Sequence, residues 1–168
     1  MAELKDSGAR REFNTGAVRD IADGKGRCDL LPLGIIGGFE HDEYLQNIEI
    51  YIRTGNVANL WRAASKFGFN VYGDIPTMLL EVAKQYEDGA RKYAERNWEK
   101  GIPLHCYIDS AVRHYLKFIR GDNDEPHDRA FIWNILCALW THKNKPEMID
   151  LPFAQKEETN GTNNNPRA

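Results

Sequence analysis

Residues 85–101 read QYEDGARKYAERNWEKG, and the spacing of their apolar and charged side chains decides the fold class. Leu79, Val82, Ala83, Tyr86, Ala90 and Tyr93 recur at three- and four-residue intervals, the stripe of an amphipathic helix. Glu87 falls inside that pattern, with Leu80, Ala83, Ala90 and Ala94 at helical spacings, so it is expected to project inward. Asp88 stands among Lys84, Arg91, Lys92 and Glu95 and is expected on a solvated, ion-paired face. Gly89 offers a point where another backbone could approach, and the helix is expected to end near Asn97 or Trp98.

Two more helices follow. Residues 104–120 carry Ile108, Ala111, Val112, Tyr115, Phe118 and Ile119 as a core side closed by Gly121. The turn GDNDEP then starts a third helix, with Asn123 or Asp124 as N-cap and Pro126 in the first turn. From Ala130 to Trp140 that helix is apolar almost all round, which requires other helices on every side. Upstream, Tyr44, Ile48, Tyr51, Ile52, Val57, Leu60, Trp61 and Ala64 predict one or two short helices within residues 40–70. Strand signals are weak, so the expected fold is all-α, a helical bundle. Its domain spans residues 15–145, between a flexible N-terminus at 1–14 and a polar, disordered tail at 146–168.

A formal charge of −3 argues against a general nucleic-acid or membrane-surface binder. Cys28, Cys106 and Cys137 form no CxxC pair and read as reduced packing residues, and no apolar leader or membrane-length run is present. A cytoplasmic protein is expected.

Several polar groups interrupt the apolar pattern. Arg19, Lys25 and Arg27 are interleaved with Gly16, Gly24 and Gly26 in a basic turn; it lacks the spacer and hydroxyl of a Walker A loop, and an ordinary solvated turn is an equal alternative. Asn134 lies within the most apolar helix and needs a hydrogen-bond partner there, from a ligand or from neighbouring backbone. Glu125 and Asp128, three apart, could face one magnesium ion or could, with Asp124, complement a helix N-terminus. Asp109 and Arg113 are spaced as either a site pair or a surface ion pair, and His114 as a core group or a ligand. With Lys92, Arg96 and Lys117 added, acids for a metal and bases for phosphates gather in one bundle, a combination suited to a nucleoside phosphate.

The ordered phrases TGAVRD, GKGRCDLLP, YEDGARKYAERNWEKGIP, YIDSAVRHYLKFIRGDNDEPH and WNILCAL, spread from Thr15 to Leu139, resemble the small phage dATP/dGTP diphosphohydrolases. These belong with the all-α, MazG-like nucleotide pyrophosphohydrolases. The resemblance implies cleavage of a deoxypurine nucleoside triphosphate (dATP or dGTP) to the monophosphate and pyrophosphate, in phage nucleotide pools remodelled for 2-aminoadenine DNA. It matches Glu87, Lys92, Arg96, Asn97, Trp98, Asp109, Arg113, His114, Asp124, Glu125, His127 and Asn134, and the basic turn with Arg19, Lys25 and Arg27. Residues 40–74 read as an insertion relative to the family pattern. The ExxE pair of the better-known relatives is absent here, since only Lys84, Ala83, Ala90 and Arg91 stand three or four from Glu87.

The expected mechanism places Mg²⁺ or Mn²⁺ between Glu87, Asp109, Asp124, Glu125 and Asp128, with Glu87, Asp109 and Glu125 as the central acids. Lys92, Arg96, Arg113 and the basic turn would meet phosphates, and Asn97, Trp98 and Asn134 the base or sugar. One alternative is an HD-type triphosphohydrolase with His114 and the adjacent His127 and Asp128 on a metal. Another is a catalytically silent helical nucleotide-binding or assembly protein. The aromatics Trp61, Phe67 and Phe69 suggest a homo-oligomer.

Overall fold

The computed structural model describes residues 8–154. The chain begins with a short antiparallel hairpin, β1 (Arg10–Glu12) and β2 (Val18–Asp20), in the register Arg11 opposite Arg19. Six α-helices follow: α1 (Leu33–Phe39), α2 (Glu43–Thr54), α3 (Val57–Tyr72), α4 (Ile75–Tyr93), α5 (Leu104–Arg120) and α6 (His127–Asn144). Single 3₁₀ turns at Cys28–Leu30, Asn97–Lys100 and Pro146–Met148 link or end them. The all-α expectation is borne out, with the hairpin as the exception. Sequence pattern misses that hairpin because each strand has three residues and its outer edge is completed by a side chain, described below.

Local chemistry sets the helix starts. Asp42 accepts from Tyr44 N and Leu45 N, Asn56 from Ala58 N, and Asp74 from Thr77 N at 2.7 Å, capping α2, α3 and α4. The core takes Ile48 and Tyr51 from α2, Leu60 and Phe67 from α3, Met78 and Val82 from α4, Ile108 and Val112 from α5, and Phe131 and Ile135 from α6. Phe67 is its aromatic hub, meeting Tyr44, Tyr115, Phe118 and Phe131 edge-on with centroids 4.7–6.0 Å apart. Phe67 is therefore buried, unlike the exposed aromatic expected, whereas Trp61 and Phe69 are exposed. Helices α2 and α3 carry core residues, so residues 40–74 are integral to the bundle. Leu151 is buried and Phe153 packs on Tyr51 and His142. The structured chain thus extends past residue 145; residues 1–7 and 155–168 of the expected flexible ends lie outside the described residues.

Three details of the deciding stretch differ from expectation. The buried side of α4 is Met78, Val82 and Gln85, while Leu79 and Leu80 are exposed; the axis is rotated so that the row including Gln85 faces inward. Glu87 consequently points to solvent and pairs with Arg91, whereas Asp88 is the more sheltered acid (side-chain exposure 24% against 60%), held by Arg129 at 3.2 Å. A Cβ on Gly89 would meet nothing within 4 Å; the close approach is at Gly68 inside α3, against Met78. Finally, α4 stops at Tyr93, because Ala94 (φ 100, ψ 155) and Arg96 (φ 53) turn the chain out of helical geometry. At the other end of the site, α6 begins at His127 with Pro126 as its N-cap residue, and Asp124 is recruited by His127 and Lys117 instead of capping backbone.

Candidate active site

A cavity of about 880 Å³ opens between the hairpin, α4, the Asn97–Lys100 turn, α5 and the start of α6. Seven basic side chains line it, Arg11, Arg19, Lys25, Lys92, Arg96, Arg113 and Lys117, against five acids, Asp20, Glu87, Glu95, Asp109 and Glu125. A protein of net charge −3 thus concentrates cations at one concave surface.

The hairpin is the structural device that builds the cationic wall. Asn97 accepts from Val18 N (2.9 Å) and donates to Val18 O (2.8 Å), occupying the free edge of β2 as a third strand would. Thr15 Oγ1 donates to Gly101 O and Ala17 is fully buried, so the hairpin is clamped to the chain after α4. Asn97 was expected at the base or sugar; its amide is instead committed to backbone. With β2 fixed, Arg19 reaches between α5 and α6 and donates to Asn134 Oδ1 (2.9 Å) and Ser110 Oγ (3.2 Å). Its guanidinium lies over the rings of Tyr107 and Trp133. Asn134 is completed by donating to Ala130 O at 2.8 Å. On the same strand Asp20 accepts from Lys92 (2.7 Å) and Arg10 (3.0 Å), which orients the Lys92 ammonium at the cavity.

On the α5 side, the two oxygens of buried Asp109 are engaged by Cys28 N (2.7 Å) and Arg113 (2.5 Å). Arg113 also donates to Gly26 O at 2.8 Å. Asp109 and Arg113 therefore hold the basic turn in place, presenting Lys25 to the cavity. Burial lowers the Lys25 pKa, with Asp20 opposing that shift. Arg27 is turned away and bonded to Asp29, outside the lining.

Metal-ligating groups converge at the α5–α6 junction. One oxygen or nitrogen each from His114, Glu125 and His127 lie within 4.8 Å of one another, and a neighbouring group comprises Asp122, Asp124 and His127. His114 Nδ1 is 2.9 Å from His127 Nδ1, whose ring in turn bonds Asp124 through Nε2 at 2.8 Å. Desolvation holds His114 neutral, its pKa lowered to about 3, which keeps a ring nitrogen lone pair available. His127 and Lys117 hold the Asp124 carboxyl well below the usual carboxylate range. The expected five-acid cage is not assembled among the described residues. Glu87 is solvated at the rim, Asp109 is committed to the basic turn, and Asp128 accepts from Tyr72 OH at 2.7 Å on another face. Glu125 alone of the proposed acids both lines the cavity and joins a metal-capable group.

Four buried polar atoms on the lining have no hydrogen-bond partner among the described residues: Arg11 Nε, Arg19 Nη1, Gln85 Oε1 and Trp133 Nε1. Buried polar groups are normally paired, and these four belong to side chains that line one cavity. Gln85, Trp133, Arg11 and Ser110 escaped sequence reasoning; the one signal was Gln85 three residues beyond Val82, a polar position on the true buried row. Trp98, expected as a stacking face, lines the cavity with its ring set edge-on to Tyr86 and Trp140 at 5.5 and 5.1 Å. Arg96 is at the exposed rim, paired with Glu99.

Residues 60–151, more than half of the chain, match the family model described as dATP/dGTP diphosphohydrolase, N-terminal. The chain belongs to the dATP/dGTP diphosphohydrolase family. No curated protein and no solved structure matches it. The enzyme expected from the sequence is thereby borne out at family level. The family match takes in α4, α5, α6 and most of α3, and therefore Gln85, His114, Glu125, His127 and Asn134. The hairpin and basic turn, with Arg11, Arg19 and Lys25, precede the matched region. No helix among the described residues is long and apolar enough to cross a membrane.

Proposed function

We propose that the cavity binds a deoxypurine nucleoside triphosphate and hydrolyses it between the α and β phosphates, yielding the deoxynucleoside monophosphate and pyrophosphate. The observation that carries this is a cation-lined cavity with unpaired buried donors from Arg19, Arg11 and Trp133, in a chain of the dATP/dGTP diphosphohydrolase family. A free guanidinium donor beside an aromatic floor suits a phosphate next to a sugar or base.

In this scheme Arg19 and Lys25 from the hairpin side and Lys92, Arg113 and Lys117 from the helices surround the polyphosphate. As water attacks the α phosphorus and the α–β bridging bond breaks, negative charge grows on the departing pyrophosphate, and these side chains stabilise it. The imidazoles of His114 and His127 with the Glu125 carboxylate form a mixed nitrogen and oxygen donor set. That chemistry suits Mn²⁺ or a similar transition ion better than the all-oxygen preference of Mg²⁺. When bound, such an ion neutralises phosphate charge and lowers the pKa of the attacking water. Glu125, on the cavity wall, accepts the proton released by the attacking water. Gln85 and Trp133 supply an acceptor and a donor for the purine or sugar.

The imidazole pair would suit the HD-type alternative, but its aspartate, Asp128, is bonded to Tyr72. Incubation of purified protein with each dNTP and either Mg²⁺ or Mn²⁺, with both products identified, separates the outcomes. Monophosphate and pyrophosphate from dATP or dGTP support the proposal; nucleoside with inorganic triphosphate, or no turnover, overturns it. We assign the enzyme to phage nucleotide-pool remodelling toward 2-aminoadenine DNA in the host cytoplasm, without nucleic-acid or membrane partners. We also infer a homo-oligomer, supported by exposed Leu30, Ile35, Phe39, Phe69 and Leu80. Light scattering tests it, with a monomeric mass as the refuting result.

A further inference from the structure

Cys106, in the first turn of α5, reads in the sequence as a packing residue, yet its sulfur has two nitrogen neighbours. Arg11 Nη2 from β1 approaches at 3.1 Å and His105 Nε2 at 3.3 Å. His105 is fixed from behind by Asp150, which accepts its backbone N–H at 2.9 Å and bonds its Nδ1. Carboxylate, imidazole and thiol are thus aligned in that order by two pieces of chain, Asp150 on one and the adjacent His105 and Cys106 on the other, the arrangement by which imidazole activates a sulfur nucleophile. The Asp150 bond raises the His105 pKa to about 10, so a positively charged imidazole faces the sulfur.

The other two thiols lack this setting. Cys137 is fully buried, faces only the Tyr86 hydroxyl at 3.7 Å, and is pushed up to about 12 by burial. Cys28 is half-buried and also pushed up by burial. Cys106 differs further in lying on the wall of the large cavity, where the buried Nε of the same Arg11 is unpaired. Cys106 is itself only 4% exposed on that wall, and the phosphoanhydride chemistry makes no use of it.

We propose that Cys106 is a modification site, a thiol activated by the Asp150–His105 pair and Arg11 that reacts with small electrophiles and hydroperoxides entering through the nucleotide cavity. With a hydroperoxide, the sulfur electron pair attacks the terminal oxygen and the O–O bond breaks. The thiol is oxidised to a sulfenic acid while the peroxide is reduced, its leaving oxygen taking up the proton to depart as alcohol or water. The added oxygen crowds the Arg11 guanidinium 3.1 Å from the sulfur, on the cavity wall, and so disturbs nucleotide binding; this last consequence rests on the proposed function.

The test is competitive labelling of the full chain with limiting iodoacetamide, read at each cysteine by peptide mass spectrometry. Cys106 is expected to react at least about tenfold faster than Cys28 and Cys137, and Asp150→Asn to slow it by about tenfold without changing Cys28. Arg11→Met provides a second variant, and far-ultraviolet circular dichroism establishes that each is folded. Hydrogen peroxide is expected to inactivate wild type and spare Cys106→Ser, each compared with its own untreated activity. Reaction at Cys106 no faster than at Cys28, or unchanged in both folded variants, overturns the proposal. Fast, Asp150-dependent labelling that dGTP fails to slow upholds the thiol site and counts against the nucleotide cavity instead.

Discussion

Replacing Asn97 by alanine separates a contact with substrate from a contact with the fold. Its amide makes two hydrogen bonds to the backbone of Val18, at 2.9 and 2.8 Å, and is itself 6% exposed. Each bond contributes about 1 kcal/mol net, and truncation also leaves a half-buried N–H and C=O imperfectly solvated, so the expected loss is about 2–3 kcal/mol. For a chain of this length that corresponds to a fall in Tm of roughly 4–12 °C. Because Arg19 and Asp20 ride on the same strand, kcat/KM is expected to fall by a common factor for dATP and dGTP. Urea denaturation and parallel kinetics on the two nucleotides measure both quantities. Unchanged stability with an altered dATP to dGTP ratio would refute this reasoning and return Asn97 to the base.

Ala94 occupies a backbone region (φ 100, ψ 155) that strongly favours glycine, so Ala94→Gly is expected to stabilise the protein by about 1 kcal/mol in thermal unfolding; destabilisation counts against the strain. Glu87→Gln removes an exposed pair and should leave turnover within about twofold. Glu125→Gln should lower kcat by about 100-fold, and the reverse ranking in steady-state assays sinks the assignment of the acids. His105 is raised from 6.5 to about 10, chiefly by Asp150, so the stability it adds is complete below about pH 6.5 and declines as pH rises toward 10. The stability deficit of Asp150→Asn should therefore be larger at pH 6 than at pH 10 in urea titrations; equal deficits contradict the linkage.

The bundle was legible because its helices announce themselves through local chemistry. Helix α5 runs from Leu104 to Arg120 and closes at Gly121 as its periodicity predicts, and most of the apolar run of α6 is buried, with Trp133, Leu136, Leu139 and Trp140 partly so. The site residues were legible as a set of charged and amide positions, but their partners were not. Periodicity could not choose between two adjacent rows of α4, since Leu79, Leu80 and Ala83 supply an apolar row as plausible as Met78, Val82 and Gln85. That one-row rotation exchanges the settings of Glu87 and Asp88. The hairpin was invisible for a related reason, as β2 is stabilised by Asn97, 79 residues away in sequence.

Sequence by itself therefore determined the helical class, the family and the residue types for phosphate and metal chemistry, because caps, periodicity and shared phrases act over a few residues. Only tertiary structure decided which of those residues face one cavity. It committed Asn97 and Asp109 to holding backbone, placed Glu125 with two histidines, and left Arg19 and Gln85 with unpaired buried atoms. Burial and hydrogen-bond satisfaction depend on what other helices bring alongside, and no local pattern carries that information.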